Sequence, residues 1–185
     1  GNILAEGLLV AKDAAMTSGG FLQADGISVG GKLQMNADRY IDAVFHEPVS
    51  GTVIDAEAGE AIRMVFKEKA DAALKLAAKD NVDLLFDKKA VIRSDITVGQ
   101  KFTITSGSTL KITDTGADNT AGSGFSIDSL TAVNGDTVTV ASKRDISILR
   151  TDAKKLEAAL AEGKALSVHA ANAMDMILLS DKSIL

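Results

Sequence analysis

Hydrophobic and polar residues alternate most regularly over residues 33–46. Leu33, Met35, Ala37, Ile41, Ala43 and Phe45 fall on one side, and Gln34, Asn36, Asp38, Tyr40, Asp42 and His46 on the other. Arg39 and Val44 break the alternation. A period of two with one apolar face predicts a half-buried antiparallel strand. At roughly 3.3 Å per residue it would span about 40 Å, far beyond the usual strand. Such length suits an arm that pairs with another subunit. Pro48 and Ser50-Gly51 mark a loop, 52–55 a short strand, and 61–66 another with Ile62, Met64 and Phe66 on one face. Residues 70–79 predict a helix, being rich in good helix formers, with Ala70, Ala73, Leu74 and Ala77 at helical spacing.

The flanking segments give shorter signals. Residues 3–11 read as a strand or short helix, with strand favoured near 8–10, and 21–24 as a short strand. Strands are expected at 82–86 and 90–93. From Ser94 to Ser142 the composition shifts to Thr, Ser, Gly and Asp. Strand signals follow at 101–105, 109–113, 125–130 and 137–141. Asn134-Gly135 suits a hairpin turn, and 116–124 is expected to be the most mobile loop. Residues 151–162 predict a second helix, capped by Thr151 or Asp152 and ended by Gly163. Strands at 165–170 and 174–179 close the chain. The expected fold is mainly β (α+β), an antiparallel β-sandwich or barrel with a long hairpin and two short helices. It divides into a β core with flanking helix (1–93), a β-meander as a possible insertion (94–142), and a C-terminal helix and strands completing the core (143–185).

Composition narrows the function. A net charge of −5 argues against nucleic-acid binding. The absence of Cys removes disulfides and thiolate metal sites. No apolar run approaches a membrane span, and the opening residues lack the pattern of a signal peptide. With no Trp and one Tyr, the core must come mainly from Leu, Ile, Val, Ala and Met.

Candidate chemistry is sparse. Asp114-Thr115-Gly116, followed by Ala-Asp-Asn-Thr, resembles the active-site segment of retroviral aspartic proteases, which implies Asp114 as a catalytic acid in a dimer sharing one proton. No matching flap or C-terminal Gly-Arg-Asn segment accompanies it, so a polar turn is the preferred reading. His46 and His169 stand in no metal-ligand pattern. Asp55, Glu57 and Glu60 lack calcium-loop spacing. No glycine-rich phosphate loop is present, and Ser123 has no credible His partner. No catalytic, cofactor-binding or metal residue is therefore assigned, and no cofactor is expected.

The order of elements over the first eighty residues resembles the tail tube proteins of long-tailed bacteriophages. The match runs from Gly7–Ala15 through Gly20-Phe21-Leu22, the alternating stretch, Ser50-Gly51 and Ile62–Phe66 to the expected short Ala/Leu helix at Ala70–Ala78. The resemblance implies a non-enzymatic virion protein that forms hexameric rings stacked into a tube for DNA passage. Its partners would be itself and other tail proteins such as terminator, sheath or baseplate, with no specific nucleic-acid binding and no membrane. It would be found in the virion tail, and in the host cytoplasm during assembly. Gln34, Asn36, Asp38, Tyr40 and Asp42 are then candidates for an inter-subunit or lumen-lining strand. The alternatives are a capsid decoration or other oligomeric phage protein, and an aspartic protease using Asp114.

Overall fold

A spacing of about 20 residues organises the chain. Ile62 pairs with Val82 and Val82 with Phe102. On the other side Ala70 pairs with Ala90 and Ala90 with Leu110. Every strand pairing among the described residues is parallel. The computed structural model, which describes residues 1–116, 124–134 and 137–179, is a parallel β-solenoid of about eight turns.

Each coil contributes one strand to each of two long sheets. The first sheet stacks Ile3–Glu6, Leu22–Asp25, Ile41–Phe45, Ile62–Phe66, Asn81–Phe86 and Lys101–Ser106. Phe125–Ile127 and Ser129–Ala132 lie along the same side of Ile146–Asp152, whose other edge carries Leu166–Ala170. The second sheet runs from Ala14–Ser18 through Lys32–Ala37, Val49–Ala58, Ala70–Ala78, Ala90–Val98, Leu110–Asp114, Thr137–Ser142 and Lys155–Leu160 to Asp175–Leu179. A two-stranded ladder, Leu9–Val10 with Ser28–Val29, forms a short extra wall in the first coils.

This corrects the expected antiparallel sandwich. A hairpin brings together residues whose separation shrinks towards the turn, whereas here the separation stays nearly constant along each ladder. The long strand at 33–46 is two strands, Lys32–Ala37 and Ile41–Phe45, in different sheets with a corner between them. Arg39 sits in that corner, which is why the alternation fails there. The 94–142 segment contains no meander among its described residues. Its strands are further coils, and Ser129–Ala132 and Thr137–Ser142, on either side of Asn134, belong to different sheets. Gly135 and the loop residues 117–123 lie outside the described residues.

Neither expected helix exists. Residues 70–79 carry two periods at once, and the period of two wins. Ala70, Ala72, Leu74, Leu76 and Ala78 are buried, while Asp71, Ala73, Lys75 and Ala77 point outward. Neighbouring strands on both edges satisfy the backbone, and their packing outweighs an intrinsic helix preference of less than ~1 kcal/mol per residue. Residues 151–162 likewise hold the end of Ile146–Asp152 and the strand Lys155–Leu160, which buries Leu156, Ala158 and Ala159.

Inward side chains form columns that run from coil to coil. Ile3, Leu22, Ile41, Ile62, Val82 and Phe102 make one such column. Phe45, Phe66 and Phe86 make another, their rings stacked at 4.7 and 4.9 Å between centroids and nearly parallel. Thr151 stands in a third column between Leu130 and Ala170. It is 1 % exposed, and its hydroxyl has no hydrogen-bond partner among the described residues. Thr151→Val keeps the shape and removes the buried hydroxyl. It is expected to raise stability by about 1 kcal/mol, read as a higher denaturation midpoint.

The corners stack as tightly as the sheets. A methyl group added at Gly99 would run into the backbone carbonyl of Lys79 one coil earlier, and one at Gly59 into that of Asp38. Gly99→Ala therefore forces two coils apart. A loss of about 1–3 kcal/mol is expected, measurable as a lower thermal midpoint.

Outward charges mark the same register. Asp42–Arg63, Lys67–Asp87 and Asp71–Arg93 each bridge successive coils at 2.9, 3.1 and 2.9 Å. These pairs are about half-exposed, so each adds little stability. Their opposite signs nevertheless favour the observed stacking over a slipped one.

Candidate functional site

The one ionic cluster buried among the described residues lies at Asp114. Asp114 ends the strand Leu110–Asp114 in the inward column Leu33, Ile54, Leu74, Ser94, Asp114, Ser142, Leu160. The column is apolar up to Leu74 and then polar for three coils. The Asp114 side chain is 0 % exposed and that of Arg144 12 %. Arg144 donates from Nε to Oδ2 at 2.8 Å and from Nη2 to Oδ1 at 2.6 Å, a two-pronged ion pair. The Ser142 hydroxyl donates to Oδ2 at 2.6 Å, and the Gly116 N–H to Oδ1 at 3.0 Å. The Arg144 N–H in turn donates to Ser142 Oγ at 2.9 Å.

This arrangement holds charge rather than moving protons. Both oxygens of Asp114 accept two hydrogen bonds each, and the carboxylate faces a guanidinium instead of a second carboxylate. The Gly116 contact is the local turn bond expected of an Asp two residues before a glycine. The partners that matter most, Ser142 and Arg144, stand about thirty residues away and were not singled out from the sequence. Only the coil register brings them to Asp114.

The other sequence-predicted residues are dispersed. Gln34 and Asn36 face outward from the second sheet, and Asp42 outward from the first. Asp38 and Tyr40 occupy the corner, where Tyr40 stacks on Phe21 at 5.0 Å. These five residues therefore do not share one strand. Asp42 is held by Arg63. His46 contacts Asp25 across one coil at 2.6 Å through Nε2, while His169 sits exposed on Leu166–Ala170. Asp55 pairs with Lys32 at 2.9 Å and Glu60 with Arg39 at 3.0 Å. No group of three metal-ligating side chains occurs among the described residues.

The proton affinities of Arg39 and Glu157 on the surface are displaced. The hydrogen bond to Glu60 raises Arg39 above its ordinary value. Lys155, mainly by its hydrogen bond, lowers Glu157 below the usual carboxylate range. The Glu157 contribution to stability is present above its unfolded value and fades as pH falls through its lowered folded one.

Shallow grooves lie at the corners. One, of about 460 Å³, is lined by residues including Thr131, Asn134, Asp152, Lys154 and Asn172. Another, of about 400 Å³, lies along Pro48, Lys69 and Lys89. Neither gathers a nucleophile with a base. No helix among the described residues is long and apolar enough to cross a membrane.

The fold and the cluster together define a parallel β-solenoid protein with a buried Asp–Arg clasp. In comparisons with known proteins, no protein family, curated protein or solved structure matches the chain.

Proposed function

We propose that this chain is a structural, self-associating protein, not an enzyme, in which solenoids of successive copies stack end to end. The observation that carries the reading is the chemistry of the outermost described coils. At one end Ile3, Ala5, Ala14 and Met16 continue the inward columns and stay partly exposed. At the other, Met176 and Leu178 continue the columns of Leu156 and Ala158 and are 53 % and 64 % exposed. These columns carry no charge at either end. Among the described residues, the outer edges of Ile3–Glu6 and Asp175–Leu179 have no strand partner. Parallel strands have the same polarity throughout, so the coil of Asp175–Leu179 in one copy matches the coil of Ile3–Glu6 and Ala14–Ser18 in another in the way that neighbouring internal coils match. A head-to-tail contact of this kind does not close on itself and grows into a fibre.

The self-association implied by the tail-tube resemblance is retained in this proposal. The hexameric ring and DNA-conducting tube depended on a sandwich with a long hairpin, and the solenoid offers no such hairpin to argue from. Sedimentation and negative-stain microscopy at rising protein concentration test the stacking. Fibres that disappear in Met176→Lys/Leu178→Lys are expected. A chain that stays monomeric at all concentrations would refute the proposal.

A further inference from the structure

We infer that the solenoid opens in two steps, at a seam between the coil ending at Asp114 and the coil beginning at Phe125, with the Asp114–Arg144 pair as its bolt. The inference concerns the single chain and is independent of stacking.

The seam is where the repeat breaks. Elsewhere in the second sheet partners stand about 20 residues apart, yet Leu110 pairs with Val138. In the first sheet Thr103 pairs with Ser129. Backbone pairing in the second sheet thins at the same place, while the first sheet is no thinner there than between Leu22–Asp25 and Ile41–Phe45, which also share four pairs. Ala70–Ala78 is paired with Ala90–Val98 over nine residues, and Asn81–Phe86 with Lys101–Ser106 over six. Across the seam, Leu110–Asp114 and Thr137–Ser142 share four pairs, and Lys101–Ser106 and Ser129–Ala132 share four. The phenylalanine column stops one coil before the seam, since Phe86 is followed by Ser106 and then Ala132.

Side-chain contacts add to the short ladders across the seam. Asp128 Oδ2 accepts from the Phe102 N–H at 2.7 Å, and the Asp128 N–H donates to the Phe102 carbonyl at 2.8 Å. Asn134 donates to the Gly107 carbonyl. Arg144 reaches across to Asp114 from the C-terminal side. The apolar pairs Leu110–Val138, Ile112–Val140 and Ile104–Leu130 still cross the seam, but a junction where the repeat changes is where a quasi-one-dimensional fold divides into separate cooperative units. The C-terminal unit is the weaker one, because it has shorter strands, the unpartnered Thr151 hydroxyl and, among the described residues, a partly exposed strand at Asp175–Leu179.

Hydrogen exchange of the full chain at dilute concentration, followed peptide by peptide, tests this. Amides in 129–160 are expected to exchange together, at least ten-fold faster than those in 54–92. Arg144→Lys, which keeps the charge but loses the fork, is expected to speed the first group a further ten-fold and the second less than two-fold. A smooth gradient from the chain ends with no step at the seam would overturn the inference. So would equal acceleration of both groups in Arg144→Lys. The unsubstituted protein alone decides the step, so a poorly folding variant leaves the test intact.

Discussion

Phe66→Ala is expected to cost about 3–5 kcal/mol, the range for removing a buried aromatic side chain. The ring is 1 % exposed and sits between Phe45 and Phe86, with stacking contacts on both faces. Its loss leaves a void one coil thick and separates two favourable ring pairs, each contributing ~0.5–1.5 kcal/mol beyond burial. The upper end of the range applies because the coils above and below are fixed by ladders on both sheets and cannot collapse into the gap. The measurement is a denaturant midpoint, with Phe66→Leu as the milder comparison. A change below about 1 kcal/mol in the alanine variant would mean that the stack does not set the stability of these coils.

Arg144→Met is expected to cost a similar amount, about 3–5 kcal/mol, for a different reason. It leaves a fully buried carboxylate with the Ser142 hydroxyl and the Gly116 N–H and no counter-charge. Desolvation of that charge dominates the loss. The double variant Asp114→Asn/Arg144→Met is therefore expected to recover much of it, because no isolated charge remains. Comparing the two variants with Asp114→Asn alone gives the coupling between the side chains. If the double variant were as unstable as Arg144→Met, the cost would lie in lost packing around the guanidinium stem rather than in the orphaned charge.

Much of the strand content was legible in the sequence, and the architecture was not. The segments expected at 82–86, 101–105, 109–113, 137–141, 165–170 and 174–179 coincide with strands or nearly so. Alternation finds a strand because side chains leave it on opposite faces. The pattern is the same whether a neighbour runs parallel or antiparallel, so it says nothing of direction. The missing signal was the interval between matching residues. Ile41, Ile62, Val82 and Phe102 recur at about 20 residues, as do Phe45, Phe66 and Phe86. A period of that length is the mark of a solenoid. The helix expectations failed because alanine is compatible with both periods, and only packing on two edges decides between them. At Asp114 the polar turn was visible in the Asp-Thr-Gly string. The ion pair was not, because Arg144 is its neighbour only after the chain has wound once more around the axis.

The Gly99 corner and the columns have a bearing on how the chain can change length. One extra residue inside a strand would turn every later side chain of that strand inside out. Length can therefore change without loss only in whole coils, or as slack paid out where the winding turns. The longer interval from Leu110 to its partner Val138, against about 20 residues elsewhere in that sheet, is a change of the second kind. Lineages of this chain should then differ by multiples of about twenty residues, each step altering its height by roughly 4.8 Å, the distance between neighbouring strands. Its stature is set by a count of windings rather than by a continuous measure.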